Sequence, residues 1–226
     1  MNWFVKTFSG SIGRKLLMAL TGLFLCTFLV IHLIGNLQLL KTDGGEAFNH
    51  YAKFMTSNPL IKTVSYLLYT SILAHVVFAI LLTIGNRKAR PQGYAVVNNQ
   101  SSWPSRNMGI LGTIVLAFIV FHMKDFWAEY HFEDLPMYTL QDGTIVKDLY
   151  LEVMNAFKSG IYVALYVVCM GAIGFHLWHG FESAFQTLGL NHKKYTPFVK
   201  TTGKAFSVLI SIGFAIIPLT VYFCRQ

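Results

Sequence analysis

Apolar residues in this chain gather into five long blocks, at roughly 16–40, 63–85, 108–128, 160–185 and 205–224, separated by polar stretches. Each block reaches the roughly 20 residues that an α-helix needs to cross about 30 Å of hydrocarbon. A barrel strand crosses in about 10 residues with alternating polarity, so blocks of this kind exclude a transmembrane barrel. The pattern predicts an all-α integral membrane protein, five transmembrane helices in a single domain spanning 1–226. The first block follows Lys6, Arg14 and Lys15 as a signal peptide would. Its apolar run is too long for an h-region and no small-residue cleavage site follows, so it is expected to remain as a span.

The polar gaps are unequal. Residues 43–55, DGGEAFNHYAKFM, read as a short surface helix stopped by the TSNP turn at 56–59. The gap at about 128–158 carries Glu133, Asp134, Pro136, a turn at Asp142 and Gly143, and then an amphipathic KDLYLEVMNAF stretch. No internal repeat or low-complexity tract interrupts the chain, so the spans form one bundle and not a tandem array.

Charge gives the bundle a direction. Of 18 Lys and Arg residues, eleven (Lys6, Arg14, Lys15, Arg87, Lys88, Arg90, Arg106, Lys193, Lys194, Lys200 and Lys204) fall on one side of the expected spans. Positive loops stay in the cytoplasm, so the N-terminus is expected there and the C-terminus outside. The formal charge of +8 forms no continuous stripe, which argues against nucleic acid. A composition of 54% hydrophobic and 12% charged residues, with a mean hydropathy of +0.50, fits lipid on the outside of the bundle. Cys26, Cys169 and Cys224 lie far apart and provide neither a disulfide framework nor a thioether haem attachment.

The chemistry lies in the histidines. His32, His75, His122, His176 and His179 fall inside spans, and each of the first four spans holds at least one. An ionisable ring in hydrocarbon is costly and normally faces the bundle interior with a partner. A single such ring is commonly just a hydrogen bond between helices; four helices in series ask for more. At 1.5 Å per residue, His32 and His122 each lie about 6 Å outward of the midplane. His75 lies near the midplane and His176 about 5 Å inward. Two histidine pairs at two depths suit two bis-imidazole haem irons inside a bundle of helices 1–4, b-type because no thioether cysteine is present. Zinc would need further Cys, Asp or Glu ligands at the same level. His176 and His179 share a face, and position favours His176.

Glycines at Gly22, Gly35, Gly109, Gly112, Gly171 and Gly174 offer room for flat groups, although small residues serve ordinary helix packing equally well. Arg14, Lys15, Arg106 and Lys193 could bond haem propionates at the cytoplasmic edge, beside their role in setting topology.

The ordered set HLIGN from His32, GGEAFNHYAKFM, the lone His75, His122 and FHLWHGFESAFQTLGL from Phe175 resembles the di-haem cytochrome b subunit of succinate:quinone oxidoreductases. The likeness is to the b-558 type of bacterial succinate dehydrogenases and fumarate reductases and covers nearly the whole chain. It implies two haem b groups. His75 and His176 would hold the one nearer the iron-sulfur subunit, and His32 and His122 the distal one. Phe175, His176 and Gly180 match the family's pattern around the fourth-span ligand, which leaves His179 as a neighbour.

By that resemblance the chain anchors an FAD flavoprotein and an iron-sulfur subunit at the cytoplasmic face of the bacterial inner membrane. It passes electrons between them and a membrane quinone, menaquinone being the expected one. Its enzymatic part is electron transfer and reaction with quinone, since no flavin fingerprint or iron-sulfur cysteine set is present for succinate or fumarate chemistry. Some members of the family place a glutamate near the outer end of the first loop or second helix, where the comparable stretch here offers Phe54 or Lys53 and no acid aligns. Glu46, Asn49, His50 and Lys53 are therefore the quinone-site candidates, each equally explained as part of a solvated helix face. Rival readings are the cytochrome b of a hydrogenase or formate dehydrogenase, and a haem-free transporter relaying protons through histidines.

Overall fold

The computed structural model describes residues 10–89 and 102–225. Lys6 and Arg90, both used to orient the chain, lie outside the described residues. Among the described residues, five helices are long and apolar enough to cross a membrane: Ser11–Leu40, Pro59–Ala89, Met108–Phe132, Gly160–Thr187 and Thr196–Cys224. The first ends in a 3-10 turn over Leu37–Leu40. In the second span only 6% of the most apolar window is buried within the protein. Leu60, Leu67, Leu73 and Ile80 point outward from it. An apolar face this long can be stable only against lipid, and the chain is a multi-pass membrane protein.

Backbone packing defines an arrangement that hydropathy does not reveal. The first span lies against the second, fourth and fifth, and the fourth lies against the first, third and fifth. The first and third spans face one another across a diagonal of this bundle, as do the second and fourth. The core sits along the fourth span, where Val163, Tyr166, Cys169, Met170, Ile173 and Leu177 are buried. The fifth span fits against it closely. Ser211 donates a hydrogen bond to the Met170 carbonyl, and Gly174 leaves the space that the Ser211 side chain occupies. At the end of the fifth span, Arg225 donates to the carbonyls of Leu40 and Lys41 and so ties it to the end of the first.

One end of the bundle carries most of the loop structure. The helix expected at 43–55 spans Glu46–Ser57 and enters through Gly45, whose φ of 94° belongs to the left-handed region that favours glycine. Asn58 takes an extended conformation and ends it. The Asn58 carboxamide oxygen then accepts from the amides of Leu60 and Ile61, so the second span starts at Pro59, four residues before the apolar block. The amphipathic stretch forms a helix over Leu149–Ala156, capped by the Asp148 side chain. A two-stranded antiparallel hairpin precedes it, Met137–Thr139 against Ile145–Lys147, an addition to the all-α expectation. Its turn is the anticipated one, with Gly143 at φ 83°. Lys147 donates to the carbonyls of Tyr130 and Glu133 at 2.8 Å each, fixing the hairpin to the end of the third span.

Gly35 is a site of close packing. A Cβ placed there would run into the Tyr51 ring of the Glu46–Ser57 helix. We expect Gly35→Ala to overpack this contact and destabilise the protein by about 1–3 kcal/mol. A lower thermal midpoint in detergent, with Tyr51→Ala restoring part of the loss in the double variant, would report it.

Candidate functional site: two histidine pairs

Four spans each contribute one histidine to the bundle interior, and the structure brings them together in two pairs. His32 and His122 have ring centres 5.7 Å apart at 85°. His75 and His176 have ring centres 6.4 Å apart at 64°. The ring facing His75 is that of His176, while His179 lies one turn on along the same span. Each pair joins spans on a bundle diagonal, so the two rings meet across the interior instead of along a helix contact.

These separations suit a shared metal. An imidazole nitrogen binds a first-row metal at about 2 Å, which places the centres of two opposed rings roughly 6 Å apart. Among the described residues no group of three or more His, Cys, Asp or Glu could hold a metal ion, so each pair stands without a third protein ligand. A closed zinc site wants four protein ligands and a catalytic one three. A metal that brings its own equatorial ligands, such as a haem iron, needs only the two axial imidazoles.

Proton counting assigns the nitrogens. A threonine hydroxyl has one proton. That of Thr21 goes to the backbone carbonyls of Leu17 and Met18, at 2.8 and 3.1 Å. The Thr21 oxygen, 3.1 Å from His75 Nδ1, must then accept from the ring. His75 therefore carries its proton on Nδ1 and keeps the Nε2 lone pair for a ligand. His122 Nδ1 lies 3.3 Å from the Tyr166 hydroxyl. His176 differs, because its Nδ1 is buried with no hydrogen-bond partner. An unpaired buried polar atom costs about 1–3 kcal/mol, a cost that a metal at Nε2 would leave in place. The Asn36 amide nitrogen is 3.4 Å from both ring nitrogens of His32 but 2.8 Å from the His32 carbonyl, which is its real partner.

Small residues and aromatic rings shape the space around the pairs. Gly22 lies where a Cβ would come to 3.3 Å from His75, and Gly112 where one would come to 3.7 Å from His176. Gly35 and Gly174 instead serve Tyr51 and Ser211, and Gly109 and Gly171 face open space. Phe28 stacks on His32 at 5.0 Å and Phe118 on His122 at 5.6 Å. Trp103 packs edge-on against Phe175, beside His176, and brings the short helix Trp103–Arg106 over this end of the fourth span. Arg14, Lys15, Arg106 and Lys193 all lie at the end of the bundle away from the hairpin, with Arg14 half-buried and the others exposed.

The quinone-site candidates separate at the loop-rich end. Asn49 is buried, its amide nitrogen donating to Asp148 at 2.8 Å and its oxygen accepting from the Tyr150 amide at 2.9 Å. Both ends of that side chain are thus engaged in holding two loops together. Lys53 is exposed. Glu46 and His50 line a cleft of about 600 Å³ with Lys41, Tyr51, Phe54 and Gln141, although one Glu46 oxygen already accepts from the Gln141 amide at 2.9 Å.

Sequence reasoning missed Thr21, Tyr166 and Asp125. Asp125 falls inside the third apolar block, 108–128, and sits within the third span, three residues past His122. An acid inside an apolar block was the available signal. Comparison of the chain with protein-family models, curated proteins and solved structures found no match.

Proposed function

We propose that this chain is the di-haem cytochrome b subunit of a bacterial succinate:quinone oxidoreductase. In that role it anchors the flavoprotein and iron-sulfur subunits and carries electrons between them and quinone in the inner membrane. The observation that carries this reading is the pair of histidine pairs, each on a bundle diagonal and each without a third protein ligand. His32 and His122 would hold one haem b, and His75 and His176 the other. When bound, each haem supplies a one-electron carrier within the low-dielectric bundle.

The chain's own contribution is placement. Tautomers fixed by Thr21 and by Tyr166 present nitrogen lone pairs to the interior. Phe28 and Phe118 limit the rotation of His32 and His122. The lipid-facing surface of the spans excludes water from both pairs. The charge asymmetry of the loops supports an orientation with the hairpin end outside and the opposite end, with Arg14, Lys15, Arg106 and Lys193, in the cytoplasm, where the soluble subunits would dock and those cations would bond propionates. On this orientation the His32 and His122 pair is the distal one. Glu46 and His50 remain the candidates to bond a quinone, with the cleft between them and Tyr51 open on the outer side.

A reduced-minus-oxidised spectrum and haem extraction on the purified complex test the reading. We expect two haem b per chain, copurifying with a covalent-FAD flavoprotein and an iron-sulfur protein. A complex free of haem would return the histidines to a proton-relay role. A nickel or molybdenum enzyme as partner would make the chain the cytochrome of a hydrogenase or formate dehydrogenase.

A further inference from the structure

A chain of hydrogen bonds leaves His122 and ends on a carboxylate. Tyr166 lies 3.3 Å from His122 Nδ1, Tyr162 lies 3.1 Å from Tyr166, and the Tyr162 hydroxyl donates to Asp125 at 2.6 Å. Asp125 in turn pairs with Lys124 at 2.8 Å, but the lysine side chain is 76% exposed against 22% for the aspartate. Solvent screens the lysine more than the carboxylate, so the negative charge dominates on the inner side of the pair.

Proton counting gives this chain a direction. Each phenol has one proton. That of Tyr162 is committed to Asp125, so between the two phenols only Tyr166 can donate. With its proton on Tyr162, the Tyr166 oxygen can only accept from His122 Nδ1. The reverse order would leave two phenol oxygens 3.1 Å apart with no proton between them. All three protons therefore point away from the ring and toward the carboxylate.

Local geometry supports the arrangement. Directly after His122 the third span leaves α-helical form and runs as a π-helical turn over Met123–Ala128, the segment that holds Asp125. Single π turns are rare and are found frequently at functional sites. Tyr162 and Tyr166 are one turn apart on the fourth span and share a face, their rings 4.7 Å between centres. Both hydroxyls thus fall on a line between the third span's histidine and its aspartate.

We infer that Asp125, acting through Tyr162 and Tyr166, is a positioning residue for His122. It fixes the ring with its proton on Nδ1 and lends the imidazole negative charge, which favours the oxidised state of a metal bound at Nε2. This rests on the proposed function for the identity of that metal. The pairs are unequal by this design: His75 is fixed by the neutral Thr21 hydroxyl, whereas His122 leads to an ionic partner. The consequence is a distal haem whose potential is set lower than its two imidazoles alone would set it.

Redox titration of both haems in the intact complex tests the inference, the distal one being assigned from single-histidine variants. At the parent's distal midpoint we expect Asp125→Asn and Tyr166→Phe each to lower the oxidised-to-reduced ratio of the distal haem about tenfold, an upward shift of about 59 mV for a one-electron couple. The proximal haem should keep its potential, which a general loosening of the bundle would not allow. If Asp125→Asn fails to assemble, Tyr162→Phe, which removes only the linking hydroxyl, decides by the same ratio. Two bound haems with a distal ratio unchanged in both Tyr162→Phe and Tyr166→Phe would overturn the inference and leave the proposed function standing. A parent complex without haem would overturn the proposed function itself.

Discussion

The His122→Ala variant should hold one haem b per chain against the two that the proposed function gives the parent. The reason is the independence of the two pairs. His122 meets His32, His75 meets His176, and no residue serves both. Removing one axial imidazole would leave that iron a single protein ligand and a weaker hold on a macrocycle with no thioether attachment, so the variant should retain far less of that haem. His32→Ala should remove the same haem, while His75→Ala or His176→Ala should remove the other. His179→Ala should remove neither, because the ring across from His75 is that of His176. Haem extraction and the amplitude of the reduced-minus-oxidised band measure the loss, with gel filtration showing that each complex has assembled. A haem lost from His179→Ala and kept in His176→Ala would move the fourth-span ligand by one turn. Equal partial loss of both haems in every variant would contradict two independent sites.

Asn49→Ala should destabilise the protein by roughly 3 kcal/mol. Asn49 is 1% exposed and its amide joins the Glu46–Ser57 helix to the start of the Leu149–Ala156 helix. Truncation leaves the Tyr150 amide unpaired and takes a donor from Asp148 Oδ1, the same oxygen that accepts the capping bond from the Leu151 amide. A buried group without its partner costs about 1–3 kcal/mol, and hydrogen bonds to charged groups lie at the upper end. Thermal unfolding in detergent would show the drop, and limited proteolysis would locate it at the loop-rich end. Asn49→Asp is the sharper control: it keeps the acceptor for Tyr150 but sets a carboxylate against Asp148. A variant as stable as the parent would mean that Asn49 is free to serve a ligand after all.

Much of the architecture was legible in the residues alone. Hydropathy is a sum over neighbours in the chain, and a bilayer imposes a minimum span length. Five blocks therefore gave five helices, with ends displaced by several residues where segments such as 59–62 and 196–204 continue the helix beyond the apolar run. The pairing of histidines by depth followed from the same arithmetic, because rise per residue is constant along a helix. The hairpin did not follow, since its strands are three residues each and their pairing depends on Lys147 reaching back to Tyr130 and Glu133.

What the chain's order of residues settled is the number of spans, the presence of a histidine in each of four, and the level at which each lies. Tertiary structure alone decided that Thr21 and Tyr166 fix two of those rings, that Asp125 stands behind one of them, and that Asn49 is a clasp between loops. The partners in these bonds are 54, 44 and 99 residues apart for His75, His122 and Asn49 respectively. A hydrogen bond depends on a few tenths of an ångström and on which way a single proton points. Periodicity carries no such information until the helices have packed.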